Sequence, residues 1–250
     1  VAQWRAYSHR KYGTSVAPLL ISKQGYNKST FCRSLVPPEL QWGYNDNLVL
    51  SEKRQVLQAM CQSLVINLDE FNQISPQVQQ GFLKNIIQLP SVKIKPPYGS
   101  HVQEFPRMAS FIATSNMEDI LSDPSGNRRF LGVELTGPID VSQRPNYEQL
   151  YAQALSALRA GEKTYFDAEQ TRLIMANNRK FEVVSPVDQY FDLYFDLTDN
   201  AEQGEYLTAA EIFQELKSHI GSSLKLNSLI AFGRKLSQMP TIHRKRFNDG

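Results

Sequence analysis

The sequence predicts an α/β protein built on a mostly parallel sheet, with a smaller helical module at its C-terminal end. Three observations predict it. Short apolar runs rich in branched residues alternate with helix-compatible segments over the first 140 or so positions, which is the pattern of strands joined by crossover helices. After Pro145 the pattern becomes helical. The last 43 residues read as helix, turn, helix, strand and turn, the order of a winged helix cut off in its wing.

The first strand is expected over residues 16–21, followed by a polar loop and a helix over 29–36 that Pro37-Pro38 halts. Residues 48–50 are expected to form a second strand and 52–62 a helix. Residues 64–68 read as a buried strand with Asp69-Glu70 at its end. Ser75 is expected to cap a helix that has Pro76 at its first position and runs to about Leu89. Three prolines, a glycine and alternating residues between 92 and 107 predict a hairpin or long loop. Residues 109–114 and 130–135 complete the strands.

Helices are predicted over 147–159 and 168–180. Val187, Tyr190, Phe191, Tyr194 and Phe195 form one apolar face, with Asp188, Asp192 and Asp196 on another, as on a packed amphipathic helix. Thr208 and Glu211 form a capping box, Leu207 is placed to staple onto Ile212, and the helix should end before Gly221. Asn227 is expected to cap a second helix over 228–238, residues 241–247 to form a strand, and Asn248-Asp249-Gly250 a turn.

Composition excludes several classes. Apolar residues make up 41% and charged residues 21%, enough for a core and too apolar for a disordered tail. No apolar run approaches the roughly 20 residues of a membrane-spanning helix, so no membrane partner is expected. Two cysteines, Cys32 and Cys61, give no disulfide framework, which points to a reducing, cytoplasmic setting. The four scattered histidines have no zinc-ligand spacing. Val1 opens without an initiator Met or a secretory pattern, so the chain is expected to begin inside a longer protein. The net charge of +2 hides an asymmetry: residues 182–207 carry seven acids and no Lys or Arg, and residues 208–250 carry seven bases against three acids. Such a basic tail is either a footprint for phosphate backbones or a solvated surface.

A triphosphate needs a loop of backbone N–H groups, a Lys for the β/γ oxygens and a hydroxyl on Mg²⁺. Gln24, Gly25, Tyr26, Asn27, Lys28, Ser29 and Thr30 follow a strand and open a helix, as required. They depart from G-x-x-x-x-G-K-[ST] at both glycines, with Ser22 at the first and Asn27 at the second. Asn tolerates positive φ better than other non-glycine residues, so the loop can survive there. Asp69-Glu70 lies 41 residues after Lys28 at the end of a buried strand, where an Mg²⁺-shell acid and a base are needed; the same pair could also simply cap a strand. Asn116 ends the next strand, where it could orient a water. Arg128 and Arg129 precede another, and adjacent arginines serve either as a salt-bridged surface or as stabilisers of a transferring phosphoryl group. The four parts come in the order that phosphoryl transfer requires.

Residues 22–31 (SKQGYNKSTF), 64–71 (LVINLDEF), 111–116 (FIATSN) and 126–130 (GNRRF) resemble the virulence-associated protein E family, P-loop ATPases of phages and mobile elements related to superfamily 3 and primase-associated helicases. The resemblance covers roughly residues 1–180 and implies an AAA+-like P-loop core over 1–140, a helical extension over 141–184 and a truncated winged-helix-like module over 185–250. It implies an ATP-hydrolysing motor on single-stranded or forked DNA, assembled as a homo-oligomeric ring with a hexamer as the candidate, and a primase domain or partner N-terminal to this chain. Lys28 and Ser29, with Thr30 beside them, would meet phosphate and Mg²⁺. Asp69 would be the Mg²⁺-shell acid, Glu70 the base, Asn116 the sensor, and Arg128 or Arg129 the finger on a neighbour's ATP. The family's hairpin would fall between the Asp-Glu and Asn strands, where Lys93, Lys95, His101 and Arg107 suit phosphate tracking; alternatively this is a loop that Pro96-Pro97 stiffens. In the C-terminal module Arg234, Lys235, Arg244, Lys245 and Arg246 are expected on DNA. The alternative is a scaffold that binds nucleotide weakly and docks on DNA. A small-molecule kinase lacks an acceptor pocket in the sequence.

Overall fold

Parallel strands covered on both faces read as near-continuous apolar runs, and the sheet obeys this. In the computed structural model, which describes residues 15–96, 99–122, 127–183, 186–198, 204–221, 228–237, 239 and 242, the chain divides into two compact units, 1–183 and 184–250. The first holds strands β1 (Ala17–Ile21), β2 (Tyr44–Asn45), β3 (Val65–Leu68), β4 (Ser91–Ile94), β5 (Gln103–Pro106), β6 (Ser110–Ser115) and β7 (Phe130–Glu134). Five of them form one sheet in the order β2-β3-β6-β1-β7, every pairing parallel. β4 and β5 form a separate antiparallel hairpin.

Alternate residues of each strand face two cores, as the period of two demands. Leu19, Ile21, Ile66, Leu68, Phe111 and Ala113 face the larger core, with α2 (Lys53–Gln62) and the segment α3 behind them. α3 comprises Pro76–Val78, a π turn Gln79–Leu83 and Lys84–Ile86. Leu20 and Ile112 face the other side, against Phe31, Cys32 and Leu35 of α1 (Lys28–Ser34) and its cap. Helices α4 (Tyr147–Arg159) and α5 (Ala168–Asn178) complete the unit, capped at their N-termini by Asn146 and by an Asp167–Gln170 capping box.

Three expectations are corrected here. The second strand lies at Tyr44–Asn45, not at 48–50. Its entry is fixed by Gly43, whose carbonyl accepts from Leu64 N–H at 2.7 Å and where a Cβ would come within 2.6 Å of Leu64 Cγ. Leu48 and Leu50 instead pack onto the core from a loop. α3 ends at Ile86, before Leu89. Ser75 stands at its N-cap with no side-chain capping bond; its carbonyl accepts from Val78 and Gln79 N–H at 3.0 Å.

The second unit contains α6 (Pro186–Tyr194), α7 (Ala209–Ile220) and α8 (Leu229–Leu236), packed through Val187, Phe191, Leu216, Phe232 and Leu236. The Thr208–Glu211 capping box forms in both directions. It holds Glu211's carboxyl below the usual carboxylate range. Gly221 closes α7 at φ 64°, a conformation glycine tolerates. Leu207 stays exposed. The expected Asn227 cap and all of the 241–247 strand but residue 242 lie outside the described residues, as do Arg244, Lys245, Arg246 and the side chain of Lys235.

Candidate functional site

Strand order decides which loops meet. β6 lies between β1 and β3, so the carboxyl ends of three adjacent parallel strands open on one crevice, the usual ligand position in open α/β sheets. The loop after β1 brings residues 24–30, the end of β3 brings Asp69 and Glu70, and β6 brings Thr114 and Asn116. Together they line a cavity of about 270 Å³.

The loop has two left-handed residues, Gly25 at φ 86° and Asn27 at φ 59°. Asn27 occupies the position expected to stand in for glycine. Its side chain does not cap α1 but donates from Nδ2 to the carbonyl of Ile139 at 3.0 Å, while Ile139 N–H donates to Tyr26 at 3.2 Å. The segment after β7 thus clamps the turn. At the other end of α1, the hydroxyls of Tyr147 and Tyr151 on α4 donate to the carbonyls of Ser34 (2.9 Å) and Leu35 (2.6 Å).

Lys28 is 6% exposed. Its Nζ donates to Ser22 O (3.0 Å), Ser22 Oγ (2.9 Å), Lys23 O (3.0 Å) and Asn116 Oδ1 (2.9 Å). Burial lowers its pKa, and the charge of Asp69 opposes that shift. Ser29 Oγ donates to both Asp69 oxygens, at 2.9 and 3.1 Å, and Thr114 Oγ1 donates to Asp69 Oδ1. Glu70 also sits at positive φ (49°), its carboxylate accepting from Gln73 Nε2. On α1, burial first and then Asp69 push the Cys32 thiol up to about 12, away from the thiolate.

The sequence-predicted residues 24–30, Asp69, Glu70 and Asn116 therefore come together. Sequence reasoning missed Thr114 and Gln73, and read Ser22 only as a missing glycine. Thr114 was within reach: it lies two residues before Asn116, on the same face of β6.

The arginines lie elsewhere. β7 pairs with β1 so that Phe130 is opposite Ala17, which sets the turn Asn127–Arg129 at the amino end of the sheet, the edge opposite the cavity. Arg129 is 6% exposed, whereas Arg128 is exposed. Both line a separate cavity of about 140 Å³ with Gln88, Phe166 and Thr171. The turn is pinned by Asn178, whose Nδ2 donates to Asn127 O (2.8 Å) and Phe130 O (2.6 Å).

On the hairpin, Lys93, Lys95 and His101 are exposed, while Val92, Ile94 and Phe105 turn into the core. Lys93 stands opposite Glu104. Arg107 departs from expectation. It is 0% exposed, its Nη1 donates to Ile87 O at 2.5 Å, and its guanidinium lies 5.8 Å from the Phe111 ring centroid. It therefore caps the carbonyl end of α3 and is not a surface base. Arg234 on α8 is exposed.

A larger cleft, about 840 Å³, lies along β2 between Trp42 and Met108. Its one acid, Asp46, is paired with Arg33 at 2.5 Å, so the chemistry-bearing groups belong to the smaller cavity. Among the described residues no three His, Cys, Asp or Glu side chains cluster as metal ligands, and no helix is long and apolar enough to cross a membrane.

Crevice and core together define an α/β protein with a mostly parallel sheet and a polar, lysine-bearing site at its carboxyl edge. Residues 11–183 match the virulence-associated protein E-like domain, and the chain belongs to that family. Residues 184–250 match a domain of unknown function described from B. theta, DUF3874. No curated protein matches the sequence. Among solved structures it is similar to the apo NrS-1 C-terminal region (305–718), at 16% identity and a TM-score of 0.41, covering 93% of this chain and 57% of that one. An A form of that region gives 17% identity and a TM-score of 0.39, covering 94% and 56%. This chain spans about half the length of those structures.

Proposed function

We propose that the chain binds ATP with Mg²⁺ in the crevice formed by residues 24–30, Asp69, Glu70 and Asn116, and hydrolyses it as a P-loop ATPase of the superfamily 3 type. The observation that carries this reading is the convergence of Lys28, Ser29, Asp69, Glu70 and Asn116 on one cavity at the ends of three adjacent parallel strands. Lys28 would meet the β/γ oxygens, and Asn116, already bonded to Lys28, would orient the γ-phosphate and the attacking water. Glu70 would accept that water's proton. The hard oxygen donors of Ser29 and Asp69 fit Mg²⁺, which typically takes only one or two protein carboxylates and fills its other positions with phosphate and water. When bound, the ion neutralises charge on the phosphates.

Arg128, exposed at the far edge of the sheet, suits action on a neighbour's nucleotide better than the buried Arg129. A finger in trans needs a ring, so the active form would be a homo-oligomer, with a hexamer as the working number. Its substrate would be single-stranded or forked DNA, tracked by Lys93, Lys95 and His101 and docked by Arg234, Lys235, Arg244, Lys245 and Arg246 of a winged-helix-like module. Its setting would be the replication of a phage or mobile element, in the cytoplasm, alongside a primase domain or partner.

The experiment is Mg²⁺-dependent ATP turnover with and without single-stranded DNA, for wild type, Lys28→Ala and Glu70→Gln. The expected result is turnover that falls by about 100-fold or more in Glu70→Gln, the scale of a lost general base, with binding lost in Lys28→Ala. A nucleotide-binding, non-hydrolysing DNA scaffold is the second reading, favoured by one observation: Lys28 is already bonded to four protein acceptors. Binding without turnover in wild type selects it. Absence of both rejects the two readings together.

A further inference from the structure

We propose that the Ser22 hydroxyl is an internal acceptor that competes with phosphate for Lys28 and thereby sets the affinity of the loop for nucleotide. The inference rests on the nucleotide reading above and assigns a role to a residue that reading does not use. A lysine ammonium has three N–H donors. Four acceptors stand within 3.0 Å of Lys28 Nζ: Ser22 O, Ser22 Oγ, Lys23 O and Asn116 Oδ1. The ammonium is saturated before any ligand arrives, so a phosphate oxygen reaches it only by displacing a protein group.

Two of the four are backbone carbonyls, present whatever residue stands at position 22. The hydroxyl is the acceptor that a glycine there would lack. Its own proton is committed to the carbonyl of Lys23 at 3.0 Å, which leaves its lone pairs to Lys28. Ser22 is 9% exposed, so bulk water is poorly placed to compensate the hydroxyl once Lys28 turns to phosphate. Four acceptors share three donors, so the hydroxyl holds a share of those bonds without which three acceptors remain; that share favours the ligand-free arrangement, and removing it should tighten binding. A net hydrogen bond corresponds to a factor of about 2–10.

The test is the dissociation constant for a fluorescent ATP analogue with Mg²⁺, measured on the full chain as wild type, Ser22→Ala, Ser22→Gly and Ser22→Thr, with thermal melting alongside. Ser22→Ala and Ser22→Gly are expected to bind about 2–10-fold tighter, and Ser22→Thr, which restores a hydroxyl, to return to wild-type affinity. Should alanine unfold the chain, the glycine variant carries the same readout. Binding that is unchanged or weaker in a folded Ser22→Ala or Ser22→Gly overturns the proposal and leaves the nucleotide reading standing. No binding by wild type or any variant overturns both.

Discussion

Replacing Asn178 by alanine should cost the larger unit several kcal/mol, although the residue touches no part of the crevice. Asn178 is fully buried at the end of α5. Besides donating to Asn127 O and Phe130 O, it accepts from Gly132 N–H through Oδ1 at 3.1 Å, and its neighbour Asn177 donates to Gly132 O at 2.8 Å. β7 is the outer strand of the sheet, and these two amides satisfy backbone groups that an edge would leave bare. Alanine strips the partner from two carbonyls and one N–H. A buried polar group left unpaired costs about 1–3 kcal/mol. Each carbonyl keeps a second lone pair and water can enter the vacated space, so about 3–5 kcal/mol in all is the expected loss. For a unit of 183 residues, that lowers the melting midpoint by roughly 6–20 °C. Thermal denaturation followed by circular dichroism reads it directly. Asn178→Asp should be no better, because it turns a second oxygen toward two carbonyls. A midpoint within about 3 °C of wild type would refute the reasoning and show that the amide bonds are dispensable.

Gly132→Ala tests the same corner from the other side. A Cβ there would lie 2.4 Å from the Phe181 ring and 3.0 Å from Asn178 Oδ1, so a loss of about 1–3 kcal/mol is expected by urea denaturation. Arg107→Ala should lower the melting midpoint through the uncapped carbonyls of α3, whereas Lys93→Ala with Lys95→Ala should leave the midpoint unchanged and, under the proposed DNA-tracking role, flatten the salt dependence of DNA binding. Lys28 gives a pH test. Its pKa is lowered from 10.5 by burial, so the unfolded chain holds that proton more tightly. The cost of burying the charge is fully present below the folded value and is relieved as pH rises from there to 10.5. Stability should therefore gain an increment over that window that Lys28→Met abolishes, while nucleotide affinity falls over the same window as the ammonium is lost. An affinity constant up to pH 10.5 would contradict the assignment.

Much of this was legible because the signals are local. The run 16–21, the Asp-Glu after a buried strand and the Thr208–Glu211 box each announce themselves in a few residues, and each forms within a residue of where its pattern falls. What stayed hidden depends on distant partners. Nothing around residue 107 marks an arginine that will lie under α3, because its acceptors, Ile86 and Ile87, come from a turn some 20 positions earlier. Nothing around 48–50 says that a branched apolar run will pack as a loop; the pairing was taken by Tyr44–Asn45, whose register depends on Gly43 meeting Leu64. Asn178 looks like an indifferent helical residue until β7 is laid beside it.

The backbone adds a last point about the crevice. Among the described residues, the two non-glycine positions at positive φ are Asn27 and Glu70, and both line the same cavity. Asn accepts that conformation with little penalty, but for Glu it is uncommon. A strained residue of about 1–3 kcal/mol persists only where its surroundings over-determine it. At Glu70 the surroundings are visible. Phe71, next in the chain, is wholly buried edge-on against Phe130 at 4.7 Å, and Gln73 holds the carboxylate from the following turn. The Phe71 anchor and the Gln73 bond fix both ends of the turn, so the carboxylate stays at the cavity wall while the chain reverses beneath it. The turn so fixed keeps Glu70 in the lining of the cavity that it shares with Lys28 and Ser29.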